Sequence, residues 1–280
     1  MRYGFYPGCA YGAAAGYRES VEAVCGKLGI ELAEIPNWNC CGATTTFSLN
    51  EADALLSAGQ VMALALKNGH EEIVTVCNAC YTTLRKAAKI FHQRPETLEQ
   101  VDSKLKSQGL ELEKPVAIRH LLEILHHQTP ESAWTGSFPE ALKLLKVAAY
   151  YGCQLTRPWA DVDDPERPRI LENFISRLGF TAVAHSAGTL CCGSSHTVAY
   201  DSECSPLVHR ITNEIRAKGG EVIVTICPLC QLNLDAGQMK HKFTRIPILY
   251  FTQLAGLALG IDPKGLGMGK LLIPFGRGAR

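Results

Sequence analysis

The sequence predicts an α/β protein built from two copies of one parallel-sheet domain. Three observations carry that expectation. Short apolar runs alternate with helical patterns in the order β-α-β-α-β-α, which places parallel strands in one sheet with helices packed on it. The same order starts again near residue 146. A frame of five cysteines recurs with it: Cys9, Cys40–Cys41, Cys77 and Cys80, then Cys153, Cys191–Cys192, Cys227 and Cys230. The intervals read C-x30-CC-x35-CxxC and C-x37-CC-x34-CxxC, with equivalent cysteines 144, 151 and 150 positions apart. Ten of the twelve cysteines fall in this frame. A repeat of that length describes a duplicated domain, expected over residues 1–135 and 136–280. The fold class is therefore two Rossmann-like domains with parallel sheets.

The elements follow in order. Residues 3–6 form an aromatic strand closed by the turn Pro7, Gly8, Cys9. Residues 13–28 carry Val21, Val24, Cys25 and Leu28 on one helical stripe and stop at Gly29. Residues 30–35 alternate as a half-buried strand. Asn50 caps a helix over 51–67 that turns Leu55, Leu56, Val61 and Leu64 inward. Residues 72–76 are a strand with Cys77 at its C-terminal end, and 81–92 a helix opened by the CxxC. Residues 93–113, polar and rich in lysine and glutamate, read as a surface excursion. Residues 115–125 resume as a strand end and short helix. Residues 126–139, with Gly136 and Ser137, read as a linker. The second half replays this: strand 146–151, a proline- and aspartate-rich loop 158–168, helix 170–178, strand 180–184, helix 206–218 and strand 221–226. Residues 247–257 match 115–125. The glycine-rich tail 262–280, with Lys264, Lys270, Arg277 and Arg280, is expected to pack poorly on its own.

Composition is that of an ordinary globular chain, 46% hydrophobic and 20% charged, and a net charge of +1 gives no electrostatic case for nucleic acid or a membrane surface. No basic start followed by a long apolar run is visible after Met1. The most apolar segment, 246–261, is short for a span and contains Thr252 and Gln253, so it reads as a buried element. A cytoplasmic location is the expectation. Thiols there are kept reduced, so twelve cysteines point to metal or redox chemistry rather than disulfides. No glycine fingerprint follows a strand at nucleotide-binding spacing; flavin or NAD, if used, belongs to a partner.

Ligands of one site must converge, and in a parallel sheet the converging segments are the loops at the carboxyl ends of the strands. Cys9, Cys40–Cys41 and Cys77 each follow an expected strand, as do their counterparts. The CxxC places two sulfurs on a helix's first turn, where outward N–H groups favour thiolates. Gly42 and Gly193 remove a side chain beside each double cysteine. Five thiolates exceed the usual four-cysteine cluster and tetrahedral zinc, so the spacing points to an unusual polynuclear cluster.

On these motifs, with both Gly–Cys turns, both Cys–Cys–Gly motifs, both CxxC strand ends and 247–260, the chain resembles the CCG-domain family, above all the B subunit of heterodisulfide reductase and its counterparts in sulfur oxidisers. The resemblance spans nearly the whole chain. It implies two non-cubane [4Fe–4S] clusters facing an interdomain cleft, the first on Cys9, Cys40, Cys41, Cys77 and Cys80, the second on Cys153, Cys191, Cys192, Cys227 and Cys230. It implies cleavage or formation of a disulfide-type bond between them, from a small-molecule or protein-bound thiol or disulfide. It also implies electrons from an iron–sulfur C subunit, fed by a flavin A subunit. After Cys153, many methanogen-type members carry His; here Gln154 stands.

Two rivals are weighed against this: a quinone-linked electron-transfer subunit of a respiratory dehydrogenase, and a zinc-holding scaffold. His196 is a candidate proton donor beside the second site, set against a solvated loop histidine, and Gln154 a candidate cleft residue. Cys25, on an apolar stripe, and Cys204, outside the frame, are expected to be non-ligands. His120, His126, His127 and His185 have no partner at ligand spacing. The tail is read as solvated, with contact to a partner protein as the lesser alternative.

Overall fold

The computed structural model describes residues 1–43, 45–134, 140–239 and 245–276. Gly136, Ser137, Arg277 and Arg280 lie outside the described residues. Two wholly parallel four-stranded sheets are formed. In the first, β1 (Arg2–Tyr6), β2 (Glu31–Glu34), β3 (Glu72–Thr75) and β4 (Ala117–His120) stand in the order β2-β1-β3-β4. In the second, β5 (Lys146–Tyr150), β6 (Thr181–Ala182), β7 (Val222–Thr225) and β8 (Ile248–Tyr250) stand as β6-β5-β7-β8. The expected α/β duplication is thus what forms. This order has a consequence for function. The chain leaves β1 toward one edge and returns to β3 on the other side, so the loops after β1 and β3 diverge. Parallel sheets take ligands at the carboxyl ends of strands whose loops diverge in this way. The loops after β5 and β7 diverge in the same way.

The helices are α1 (Cys9–Ala13), α2 (Tyr17–Lys27), α3 (Thr46–Leu49), α4 (Glu51–Lys67), α5 (Asn78–Gln93), α6 (Pro95–Lys106), α7 (Leu121–Glu123), α8 (Ile170–Arg177), α9 (Asp201–Ala217), α10 (Pro228–Gly237) and α11 (Phe251–Ala258). A π-type turn, Ile124–Gln128, follows α7. Asn50 caps α4 as expected, its side chain accepting from Ala52 N and Asp53 N at 3.0 and 3.3 Å. The apolar run 246–261 is β8 and α11, buried along nearly its whole length. Among the described residues no helix is long and apolar enough to cross a membrane.

Four expectations are corrected. The helix expected over 13–28 starts later, at Tyr17, because Gly16 sits at φ 81°, a left-handed conformation that separates α2 from the short α1 before it. The excursion 93–113 contains α6, which opens on Pro95 and buries Val101 and Leu105, four apart on one face. The helix expected from Pro206 begins at Asp201 and carries that proline inside it. The tail is packed: Leu266, Met268, Leu271, Ile273 and Phe275 are buried. It is tied down by Asp235 of α10, whose carboxylate accepts from Leu272 N and Ile273 N at 2.9 and 3.1 Å.

By packing, the chain makes two compact units: Met1–Cys9 with Gly29–Ile124, and Ala10–Leu28 with Leu125–Arg280. Helix α2 therefore belongs to the core of the second unit. Tyr17 stacks on Tyr250 with centroids 4.1 Å apart, Ser20 Oγ and Thr252 Oγ1 share a 2.7 Å hydrogen bond, and a Cβ on Gly16 would lie 2.5 Å from the Gly267 carbonyl oxygen.

Candidate functional site

Every cysteine of the repeated frame stands at the carboxyl end of its sheet. Cys9 lies three residues past β1 and opens α1, Cys40–Cys41 lie in the loop after β2, and Cys77 is the N-cap of α5 with Cys80 in its first turn. Cys153, Cys191–Cys192, Cys227 and Cys230 repeat this after β5, β6 and β7, with Cys227 the N-cap of α10. The loops carrying Cys9 and Cys77, and those carrying Cys153 and Cys227, are the ones that diverge where the strand order reverses.

The side chains converge in the same way twice. Cys41 Sγ and Cys80 Sγ are 3.4 Å apart, and Cys192 Sγ and Cys230 Sγ 3.5 Å. Cys9 reaches Cys40, and Cys80 also reaches Cys77; Cys153 reaches Cys191, and Cys230 also reaches Cys227. In each set the CxxC pair and the second cysteine of the double are buried, whereas Cys40 and Cys191 are exposed. None of the twelve cysteines forms a disulfide. Two thiolates on one tetrahedral ion at 2.3 Å would stand about 3.8 Å apart, so the buried sulfur pairs have close to metal-ligand spacing. Among the described residues no group of three or more His, Cys, Asp or Glu is arranged around a single ion. The donors are all thiol, a soft anionic set that suits iron–sulfur groups or zinc rather than hard cations.

The backbone is shaped around these sulfurs. A Cβ on Gly8 (φ 67°) would lie 2.7 Å from Cys80 Sγ, and one on Gly152 (φ 70°) 3.0 Å from Cys230 Sγ. Glycine is required there both for the left-handed backbone and for the room taken by sulfur. The double-cysteine loops are held by hydrogen bonds from below. Tyr6 Oη donates to Asn39 O at 2.8 Å, and Tyr150 Oη to Leu190 O at 2.6 Å. Asn39 Nδ2 adds bonds to Cys40 O and Ser57 O, both 3.1 Å. In the second unit Asn233 Nδ2 donates to Cys192 O at 2.7 Å, and Asn233 Oδ1 accepts from Thr197 Oγ1 at 2.8 Å.

Proton sharing divides each set. Cys41, hydrogen-bonded with Cys80, is held down at about 7 despite its burial, with the Ala43 N–H assisting. Cys80, hydrogen-bonded with Cys41 and Cys77 and buried, is pushed well up. Cys191 is lowered to about 6, first by the Cys153 thiol and further by the Gly193 N–H and by nearby His196, against its partial burial. Cys192 is lowered by its hydrogen bond with Cys230; Cys153 and Cys230 are raised, each first by its hydrogen bond with the double cysteine, Cys191 and Cys192 respectively. Each set without metal thus holds low-pKa sulfur on its double cysteine, the state in which a thiol binds metal.

His196 is exposed and close enough to Cys191 to favour its thiolate. Gln154 is half-buried directly after Cys153. Cys25 is buried on α2, its thiol pushed up to about 12 by burial, as befits a small hydrophobe. Cys204 is buried under the second double-cysteine loop and donates to Gly193 O at 3.3 Å. His120 caps α7, its Nδ1 accepting from Leu122 N at 3.2 Å. Sequence reasoning missed Tyr6, Tyr150 and Asn233. The first two had a signal, a Tyr-x-Gly-Cys repeat at 6–9 and 150–153; Asn233 had none.

Comparison with known proteins agrees with the duplication. The family described as the CCG cysteine-rich domain matches residues 3–85 and again 147–235. The chain is 30% identical over 95% of its length to the 8-methylmenaquinol:fumarate reductase membrane anchor subunit of Wolinella succinogenes, covering 95% of that protein. It is 32% identical over 86% of its length to the B subunit of the ferredoxin/F420H2-dependent CoB–CoM heterodisulfide reductase of Methanosarcina acetivorans, covering 83% of it. Among solved structures, a hypothetical protein from Helicobacter pylori superposes over 98% of this chain with a TM-score of 0.79 at 15% identity. It shares the fold, and this chain spans about half its length, 52%.

Proposed function

We propose that this chain, which belongs to the CCG cysteine-rich domain family, is the iron–sulfur subunit of a heterodisulfide-reductase-type complex and acts on a disulfide-type bond. The oxidoreductase class rests on its relatives, subunits of reductases. The observation that carries the finer reading is the twofold convergence of five cysteines at the carboxyl ends of two parallel sheets. One non-cubane [4Fe–4S] cluster would be held by Cys9, Cys40, Cys41, Cys77 and Cys80, a second by Cys153, Cys191, Cys192, Cys227 and Cys230. When bound, the two clusters supply one-electron carriers and iron for thiolate sulfur, matching a two-electron cleavage of a disulfide.

The chain's own residues do the rest. Helices α5 and α10 start at the CxxC motifs, where the partial positive charge of a helix's first turn offsets thiolate charge. Gly42 and Gly193, at φ 74° and 84°, leave no side chain beside the double cysteines. Exposed Cys40 and Cys191 mark the side open to substrate. His196 is the group placed to hand a proton to a product thiolate at the second site, and Gln154 the neutral side chain beside Cys153 that faces substrate. Electrons would reach the chain from an iron–sulfur C subunit, fed by a flavin A subunit. The cytoplasm, where such thiols stay reduced, is the compartment this reading implies.

A second reading is favoured by one relative: a subunit of a quinol-linked fumarate reductase is equally similar. Iron, zinc and acid-labile sulfide on anaerobically purified chain decide first. About eight iron and eight sulfide per chain support two four-iron clusters, and a paramagnetic signal that appears on adding a thiol under oxidising conditions supports disulfide chemistry. A signal that responds to quinol and not to thiol supports the quinol-linked reading. Zinc without sulfide overturns both.

A further inference from the structure

We infer that Tyr6 and Tyr150 are positioning residues of the two sites: each phenol locks the double-cysteine loop of its own unit, and so fixes where that loop's sulfurs stand against the CxxC pair. The lock is a property of the chain itself; its effect on a bound cluster rests on the function proposed above.

The same bond is built twice. Tyr6 ends β1 and Tyr150 ends β5, the first strand of each sheet, and both are fully buried. Each hydroxyl crosses to a loop 33 or 40 residues away. Each finds the carbonyl immediately before the double cysteine, Asn39 O at 2.8 Å and Leu190 O at 2.6 Å. Packing alone does not explain this, since phenylalanine would fill the same volume. The surroundings differ while the bond persists. Tyr6 is met edge-on by the Trp38 ring at 5.5 Å, whereas Thr189 occupies the equivalent place, 151 residues on, in the second unit. The remaining supports also differ, with Asn39 bonding Cys40 O in one unit and Asn233 bonding Cys192 O in the other. Apart from contacts between the cysteines themselves, the tyrosine bond is the side-chain restraint seen on both double-cysteine loops.

Each tyrosine also heads the turn that serves the opposite sulfurs. Three residues on comes Cys9 or Cys153, and two residues on the glycine against which Cys80 or Cys230 is seated. The Tyr-x-Gly-Cys segment therefore ties three parts of a site together: its own cysteine, the second CxxC sulfur through the glycine, and the double-cysteine loop through the phenol. The Tyr6 oxygen is also within hydrogen-bonding reach of Cys41 Sγ, so in the first unit the lock touches the sulfur itself. A hydroxyl already given to a backbone carbonyl is not a proton donor to substrate, which makes the role geometric.

The test is cysteine alkylation in iron-free, full-length chain, read residue by residue by mass spectrometry, for Tyr6→Phe, Tyr150→Phe and Tyr3→Phe. Tyr3 shares β1 with Tyr6, but its hydroxyl points to Met1 Sδ. Expected is about tenfold faster labelling of Cys191 and Cys192 in Y150F, with Cys40 and Cys41 unchanged, the reverse in Y6F, and neither in Y3F. Equal labelling in all variants, or a uniform rise at every cysteine with lowered thermal stability, overturns the lock. In reconstituted protein, each of the two variants should shift the midpoint potential and electron paramagnetic signal of one site and leave its iron content intact. Unshifted spectra at full iron overturn the positioning role even if labelling changes. Chain that takes up no iron and sulfide at all refutes the cluster reading, while the alkylation result still decides the lock.

Discussion

Gly8→Ala gives the sharpest test of how tightly the turn after β1 is fitted to sulfur, because Gly29→Ala in the same unit separates two costs. Gly8 and Gly29 have nearly the same left-handed backbone, φ 67° and 66°. A Cβ at Gly29 meets nothing within 4 Å, so G29A incurs only the conformational cost of alanine, about 1 kcal/mol. A Cβ at Gly8 would lie 2.7 Å from Cys80 Sγ, so the sulfur must withdraw by roughly 0.7 Å to reach ordinary contact. Metal–ligand distances tolerate about 0.2 Å, so the displaced sulfur leaves the range in which it can bind. G29A should lower the melting temperature by about 2–4 °C and retain full iron and sulfide. G8A should show at least that loss of stability and lose iron from the first site, toward about half the total. Gly152→Ala, with 3.0 Å to Cys230 Sγ, should fall between them. The assay is iron and sulfide per chain after anaerobic reconstitution, beside calorimetry. G8A with full iron, or G29A with equal loss, refutes the argument that Gly8 is there to seat Cys80.

Three further outcomes are expected. Cys192→Ala should remove or convert the second cluster and abolish disulfide turnover while the first cluster's spectrum survives, read by electron paramagnetic resonance. Tyr17→Ala, which empties a fully buried ring site against Tyr250, should cost about 3–5 kcal/mol and raise hydrogen exchange in β8 and α11 while β1 to β4 stay protected. Asp235 has its carboxyl raised by burial, so the folded chain keeps a proton there that the unfolded chain has released; its contribution to stability falls as pH rises from about 4 through the raised value and then levels off. Wild-type minus Asp235→Asn melting temperatures, measured against pH, should show that decline, and a difference that rises with pH contradicts it.

The cysteine frame was legible because its information is linear: spacing, repetition and position after apolar runs survive without coordinates. The parallel sheets were legible for the same reason, since β1, β3, β5 and β7 are short apolar segments between clear helices. What escaped depended on partners distant in sequence. Helix α6 was hidden by its lysines and glutamates, because only Val101 and Leu105 of its twelve residues are buried. The tail looked loose because its anchor, Asp235, lies 37 and 38 residues upstream. A tyrosine ending a strand reads as core, and nothing local says that its hydroxyl serves a loop 33 or 40 residues on. Asn233, on α10, reads as a helix-surface amide until the second double-cysteine loop is laid over it.

Sequence repetition and shared packing answer different questions in this chain, and α2 shows why both are needed. Repetition assigns residues 10–28 by their place after Cys9; packing assigns them by the surfaces they cover, those of β8 and α11. The Ser20–Thr252 hydrogen bond is buried and joins residues 232 apart, and the near-contact of Gly16 with Gly267 leaves no room for a side chain on either. Such a fit forms only when the end of the chain is in place, so the second unit cannot complete its core from its own repeat alone. Cys9 is the last residue of one unit's first segment, and Ala10 begins the other's. The first cysteine of the first set is therefore covalently joined to the helix that closes the second unit's core. A fragment starting at residue 136 lacks that helix and should expose the apolar faces of β8 and α11, whereas the same fragment supplied with residues 10–28 should recover the protection of both. Equal hydrogen-exchange protection in the two preparations would show that α2 is a passenger on the second unit rather than part of its core.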